Sequence, residues 1–308
     1  MANEAMQSAY QTYLNELFEA KLLIPSGVQG VYGRSGAFEN VVSRFEDYVT
    51  RMGADKNPEV VRFPPIFNRA HYAKIDHIRN FPDLMGSVHS FIGDTKQHAD
   101  MLHKFESDED WSCCLTPSET MMIPAACYPL YPTAADTTLP AGGRTVDLEA
   151  YVFRHEPSID PARMQIFRQR EYVRLGTPDE ALEHRNYWLE CAKKMLESVG
   201  LAVTAVLADD PFFGRGAKIM KATQREQDLK YELVVPICSE EKPTAVTSCN
   251  YHLDSFGSKF SIRTADGETA HTACIGFGLE RIALALFKTH GFDTKSWPSS
   301  VREILALN

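Results

Sequence analysis

The stretch His271-Thr-Ala-Cys-Ile-Gly-Phe-Gly-Leu-Glu-Arg-Ile-Ala-Leu-Ala-Leu-Phe-Lys-Thr-His-Gly291 decides how the rest of the chain is read. Cys274 stands beside a Gly276-x-Gly278 turn, and Arg281 follows at once. Leu279, Ile282, Leu286 and Phe287 recur at helical spacing, which predicts a buried helix from just after Gly278 to about Gly291. The two glycines let the backbone approach a neighbour closely. An arginine in the first turn of such a helix is placed to meet a phosphate. A dinucleotide-binding turn fits poorly. Its third glycine would fall where Arg281 stands, and only a short tail follows instead of the rest of a parallel α/β domain. The plain alternative is a strand, a turn and a helix with a surface arginine.

Upstream lies a second informative stretch, Tyr151-Val-Phe-Arg-His-Glu-Pro157, a Ser-Ile-Asp-Pro turn, then Arg163 to Arg174. It reads as two strands joined by a turn. Alternation puts Val152, Arg154 and Glu156 on one face of the first strand, and Phe167, Gln169, Glu171 and Val173 on one face of the second. An arginine, an aromatic ring and two carboxylates then converge on one side of a sheet. That set suits a nucleotide: guanidinium for phosphate, ring for base, carboxylate for an amino group. A charged hairpin with solvated arginines is the competing reading.

Working outward, residues 4 to 22 predict an amphipathic helix through Leu14, Leu17, Phe18 and Leu22. A second helix is expected from Ala37 to Met52, followed by a strand over Glu59–Phe63 that runs into Pro64-Pro65. Residues 66 to 110 carry turn signals and a helical pattern from Asp94 to Phe105, but no assignable chemistry. Cys127 lies in a proline-punctuated segment and reads as a small buried hydrophobe on its own. Thr177 and Pro178 look like a helix start, with the helix ending near Gly200. Arg215, Lys218, Lys221 and Arg225 form the densest basic patch, either a solvated helix face or a docking surface for an acidic partner. Strands are expected at Leu229–Val235, Ala245–Tyr251 and Phe260–Arg263. Consecutive strands with helices outside predict an antiparallel sheet and an α+β class.

Composition sets the bounds. The 308 residues, 44% hydrophobic and 24% charged, are ordinary for a globular chain of one large or two ordinary domains. No apolar run approaches a membrane span and the N-terminus lacks a signal-peptide layout, so a cytoplasmic location is expected. The net charge of −9 argues against a broad nucleic-acid footprint. Seven scattered cysteines suit a reducing compartment better than a disulfide framework.

The His271–Gly291 stretch resembles the third signature motif of class II aminoacyl-tRNA synthetases, and the Phe153–Arg174 stretch resembles the second. Helix 37–52, the strand after it and its prolines resemble the first, which builds a dimer interface. The resemblance narrows on longer segments: Cys127-Tyr-Pro-Leu-Tyr-Pro132, Phe153-Arg-His-Glu-Pro-Ser-Ile-Asp-Pro-Ala-Arg-Met164, Asp210-Pro-Phe-Phe-Gly-Arg215 and Ala273-Cys-Ile-Gly-Phe-Gly-Leu-Glu-Arg281. These look like the amino acid:[carrier protein] ligases, shortened relatives of the atypical zinc-containing seryl-tRNA synthetases.

The resemblance implies an α+β, class II synthetase-like antiparallel sheet flanked by helices. It implies a single catalytic domain over 1–308, with an N-terminal helix at about 4–22, a helical insertion at about 178–226 and no tRNA-binding domain. It implies catalytic roles for Arg154 and Arg281, on the α- and γ-phosphates of ATP. Glu156 is implied at the adenine amino group and the substrate amino acid, Arg163 and Met164 over ATP, Phe167 on the base, and Ala245, Val246, Thr247 and Ser248 at the nucleotide. It implies one Zn²⁺ on Cys127, Glu171 and Cys274, with Glu171 also at the substrate; spacings that wide are not a metal motif on their own. Two thiolates and a carboxylate suit zinc and leave a fourth position for an amine. Cys113-Cys114 reads instead as structural.

The implied partners are ATP with Mg²⁺, glycine or alanine, and a phosphopantetheinylated carrier protein. A homodimer is implied, with no membrane and no tRNA. Arg215 and Lys218 are the candidates for carrier docking. One departure stands out: Ala245 occupies the place, three before Ser248, where longer seryl-tRNA synthetases carry a Mg²⁺-binding glutamate. The Mg²⁺ ligands are therefore unassigned. Two other readings remain at this point: a synthetase subunit acting with a separate tRNA-binding partner, and a non-catalytic regulatory paralogue.

Overall fold

The computed structural model describes residues 2–210, 218, 220, 224 and 227–307. Twelve strands run in chain order: β1 Leu23–Pro25, β2 Tyr32–Arg34, β3 Glu59–Arg62, β4 Ile66–Asn68, β5 Ser87–Ser90, β6 Thr116–Met122, β7 Arg144–Phe153, β8 Ile166–Gly176, β9 Thr204–Leu207, β10 Lys230–Val235, β11 Thr244–Tyr251 and β12 His271–Gly278. Seven of them form one sheet in the order β3-β7-β8-β12-β11-β10-β9. Every neighbouring pair is antiparallel except β3, which joins the edge of β7 in parallel. A separate small sheet, β4-β6-β5, stands beside it. The class is α+β, as the strand pattern predicts.

Helices cover one face of the large sheet. Helix Gly36–Gly53 presents Phe38, Val41, Val42, Phe45 and Val49 at helical spacing, and Ser35 caps its start by accepting from the Phe38 amide. Helix Pro178–Ser198 begins with the capping box of Thr177 and Glu180. Its Trp188, fully buried, stacks on Tyr172 of β8 with ring centroids 4.6 Å apart and meets Phe277 of β12 edge-on. Helix Leu279–His290 closes the layer, with Phe287 packed on Phe38 and Gly291 ending it at φ +88°.

Ion pairs stitch the same face. Glu280, 1% exposed, accepts from the Arg168 amide at 2.7 Å and its Nε at 2.8 Å, and lies 3.3 Å from Arg34. Arg168 also forks onto Glu39, and Arg170 onto Asp147 with Glu46 beside it. Replacing Glu280 with Ala takes the fully buried carboxylate from part-buried Arg168 and leaves it Glu39 alone. That change should lower unfolding free energy by about 3–5 kcal/mol, read by denaturant titration; a loss below about 1 kcal/mol would mean Glu39 alone suffices for Arg168.

Four sequence expectations are corrected. Gly276 and Gly278 do not form a turn: β12 stays paired with β8 through Gly278 and passes directly into its helix. The first strand of the motif hairpin runs from Arg144 to Phe153, so Arg154 and Glu156 lie beyond it. There the Arg154 amide makes a last cross-strand bond to the Gln165 carbonyl at 2.9 Å, and the Glu156 amide folds back onto the Arg154 carbonyl at 2.7 Å ahead of Pro157. Phe260–Arg263 is not a strand. Phe260 ends a short helix, Ser255–Phe260, Ser261 turns at φ +54°, and Arg263 makes only isolated bridges to Thr138 and Thr269. The span 178–226 is not a helical insertion throughout. Helix 178–198 is part of the layer on the sheet, and after Gly200, at φ +82°, the chain returns as edge strand β9. All seven cysteines are free, with Cys113 exposed and donating to the Asp110 carbonyl.

Candidate active site

The uncovered face of the sheet floors a cavity of about 520 Å³. Side chains reach it by alternation along adjacent strands: Phe167, Gln169 and Glu171 from β8, Cys274 and Gly276 from β12, Ser248 and Asn250 from β11, Lys230 and Glu232 from β10. The register places Glu171, Gly276, Ser248 and Glu232 in one row across four strands. A Cβ on Gly276 would touch Glu171 Cγ and Ser248 Oγ at 3.6 Å, so this glycine keeps the floor clear rather than easing backbone contact.

One end holds Cys127, Glu171 and Cys274, each buried, with donor atoms within 4.8 Å of one another. They are the one such group of three or more among the described residues. Donors on a tetrahedral ion with Zn–S bonds of ~2.3 Å lie about 3.8 Å apart, close to this arrangement. Glu171 Oε1 accepts the Ala126 amide at 3.0 Å, whereas buried Oε2 has no partner among the described residues. Burial, then the charge of Cys274, pushes the Glu171 carboxyl up to about 8. Hydrogen bonding with Cys274, then burial, pushes the Cys127 thiol up; hydrogen bonding from Cys127 is the main cause holding Cys274 down. Asn250 Nδ2 donates to Cys274 Sγ at 3.5 Å and His252 Nε2 lies 3.6 Å from it. Three potential anions are thus buried side by side, an arrangement a soft divalent cation would neutralise. The residues fit zinc.

The other end is basic. Phe167 stands four residues from Glu171 along β8, about 13 Å away. The guanidiniums of Arg281 and Arg154 lie 5.4 and 5.6 Å from its ring centre. Arg281 is oriented by the Ala162 and Ala245 carbonyls, at 2.8 and 3.0 Å, and Arg154 by the Pro124 carbonyl at 3.1 Å. Burial first, then Arg154 and Arg163, holds Arg281 down at about 10. Like charges held together by backbone acceptors make a receptor for an anion.

The sequence-predicted residues are mostly brought together. Arg154, Glu156, Arg163, Phe167, Glu171, Cys127, Cys274, Arg281 and the whole Ala245–Ser248 run line the cavity. Glu156 pairs with Arg163 at 3.2 Å. Met164 departs: it is buried in the core and not a cavity wall. Arg215 lies outside the described residues, as do Lys221 and Arg225; Lys218 is exposed. Sequence reasoning missed Asn250, His252, Lys230 and Glu232, which alternate along β11, its continuation and β10 and were within reach of the same period-two argument. It also missed His77, for which no local pattern gives a signal.

Comparison with known proteins decides the family. The chain is 41% identical over 288 residues to amino acid--[acyl-carrier-protein] ligase 1 of Bradyrhizobium diazoefficiens, covering 93% of this chain and 88% of that protein. It is 43% identical over 282 residues to ligase 2 of the same organism, covering 91% and 84%. This chain belongs to the amino acid–[acyl-carrier-protein] ligase family. It is therefore a ligase. More distant is the type-2 serine--tRNA ligase of Methanopyrus kandleri, 28% identical over 195 residues, 59% of this chain and 37% of that one. No family model matches the sequence. Among solved structures, the M. kandleri seryl-tRNA synthetase bound to an Aquifex aeolicus tRNA superposes with a TM-score of 0.81 at 23% identity. That match covers 95% of this chain and 60% of the other, and it shows that the ligase has the class II synthetase fold.

Proposed function

We propose that this ligase joins glycine or alanine to the phosphopantetheine thiol of a carrier protein through an aminoacyl-adenylate. The reading is carried by one cavity with chemically opposite ends: a thiol–carboxylate group at one and three arginines at the other. An amino acid has the matching polarity, with an amine to be held and a carboxylate to meet a phosphate.

Cys127, Glu171 and Cys274 would hold Zn²⁺, which would supply a Lewis-acidic site for a neutral amine. Tyr128, His252 and Phe256 wall the cavity near this trio, and Phe256 is stacked on Tyr131 at 3.8 Å, which favours a small substrate side chain. Arg154 orients the substrate carboxylate against the α-phosphorus of ATP. The carboxylate attacks in line and pyrophosphate leaves. Arg154 and Arg281, with Mg²⁺ on the phosphates, meet the charge that develops, so no covalent enzyme intermediate is needed. Phe167 and Arg281 form a slot for the base, and the guanidinium must lift for the base to enter. Glu156 accepts from the base amino group, and Arg163 covers the nucleotide. Ala245–Ser248 contact it from β11, Ala245 through its carbonyl already turned to Arg281. Because Met164 is buried, its part is to support the loop from below.

No helix among the described residues is long and apolar enough to cross a membrane; a homodimer working in the cytoplasm completes the proposal. Edge strand β3 with exposed Val60 follows helix 36–53 as the dimer motif would require. The test is the intact mass of a phosphopantetheinylated carrier protein after incubation with the ligase, ATP, Mg²⁺ and either amino acid. A gain of one amino acid residue, lost on thiolysis, is expected. Label on tRNA in a parallel charging reaction, with none on the carrier, would replace this reading by the synthetase-subunit one. Replacing Arg215 and Lys218 with Glu should slow transfer while sparing adenylation; equal loss in both half-reactions would remove that patch as the docking surface.

A further inference from the structure

His252 stands just beyond β11, where its backbone still pairs with β12. Its amide donates to the Thr272 carbonyl at 2.9 Å, continuing the register in which Asn250 faces Cys274. Thr272 and Cys274 share a face of β12 by alternation. The imidazole reaches both. Nδ1 lies 3.0 Å from Thr272 Oγ1, and Nε2 lies 3.6 Å from Cys274 Sγ. The ring also lines the cavity and stands edge-on to Phe256, with ring centres 5.1 Å apart.

The direction of these bonds follows from Thr272. That residue is 0% exposed, and His252 is the one partner of its hydroxyl among the described residues. A protonated Nδ1 would donate to the hydroxyl and leave the hydroxyl's own hydrogen buried without an acceptor, which is unfavourable. The hydroxyl therefore donates to Nδ1, and the ring carries its proton on Nε2. That N–H meets the Cys274 sulfur. The imidazole thus supports a member of the thiol–carboxylate trio instead of joining it. In keeping with this, His252 does not belong to the group of donor atoms lying within 4.8 Å of one another.

Building on the reading of Cys127, Glu171 and Cys274 as a zinc site, we propose that Thr272 and His252 are positioning residues for the Cys274 sulfur. Thr272 fixes the tautomer and the turn of the imidazole. The Nε2–H then holds the sulfur together with the Asn250 amide, which donates to it at 3.5 Å. Outer partners of this kind orient a metal ligand and raise metal affinity. The threonine has a second effect. It keeps the imidazole lone pair turned away from the trio, where that lone pair would compete with the substrate amine for zinc.

The test reads the metal and the ring directly. Zinc content and affinity are measured by chelator competition for wild type, His252→Leu and His252→Gln. The His252 ring nitrogens are read by heteronuclear NMR and assigned by their loss in His252→Gln. Removing the donor in His252→Leu should weaken zinc binding about 10–100-fold. His252→Gln, whose side-chain amide can donate from the place of Nε2, should recover most of that loss. The wild-type ring should be protonated on Nε2 and not on Nδ1. Thr272→Val should abolish that preference, and Thr272→Ser should keep it. Unchanged zinc affinity in His252→Leu, or equal loss in both His252 variants, would overturn the proposal and leave the ring as packing against Phe256. A protonated Nδ1 or a metal-bound ring nitrogen in wild type would overturn it as well, and an unchanged tautomer in Thr272→Val would remove the threonine's part. The zinc-free proteins should melt together; a lower melting temperature for His252→Leu alone would make His252 a structural residue. Wild-type ligase that is fully active without zinc would instead strike the zinc reading, and this proposal with it.

Discussion

Cys274→Ser should abolish both zinc binding at the proposed site and the adenylate formation proposed to depend on it. The substitution is nearly isosteric at a position 4% exposed, so the fold has little reason to change. What it removes is the group most readily held as thiolate, supported by Cys127, Asn250 and His252. A serine hydroxyl is a poor ligand for zinc beside one thiol and one carboxylate. Loss of a supporting partner around a metal costs about 10–100-fold in affinity or activity, and loss of a ligand should exceed that. Zinc measured by mass spectrometry should drop far below one ion per chain, with pyrophosphate exchange near background. Full zinc with full exchange would sink the ligand assignment. Asn250→Ala should show the smaller effect of a supporting residue, which guards against reading a folding defect as metal loss.

Arg281→Gln should cost adenylation about 10²–10³-fold, equivalent to ~2.7–4 kcal/mol of transition-state stabilisation. The guanidinium is held by two carbonyls and feels the charges of Arg154 and Arg163, so the free protein carries unfavourable like-charge interaction there. Removing one charge relieves that repulsion. The variant should melt no lower than wild type, and a gain would follow from the trade of stability for function. Activity within tenfold of wild type would mean that Arg154 alone carries the developing charge. A large fall in melting temperature would make Arg281 a structural residue that ties Ala162 to Ala245.

The site was legible where one element supplies several members. Phe167 and Glu171 share a face of β8 by alternation alone, and the Cys274–Arg281 run places a thiol and a guanidinium a fixed distance apart. Arg154 and Glu156 reach the cavity for a different reason than alternation: a tight turn aims them after β7 ends. The Glu280 cluster was invisible because its four charges come from separate elements, and burial gives them their weight.

By itself the sequence determined the α+β class, the helix faces that pack on the sheet, and the order of the two arginine-bearing segments. Those depend on periodicity, caps and breakers, which act over a few residues. Only the tertiary structure decided that Cys127, Glu171 and Cys274 meet, and that Glu171, Gly276, Ser248 and Glu232 form a row. It alone also placed His77 in the cavity wall, with no hydrogen-bond partner among the described residues. Strand register and the folding of 66–122 against the cavity bring residues 44 to 147 positions apart into contact range, and no local pattern encodes such a meeting.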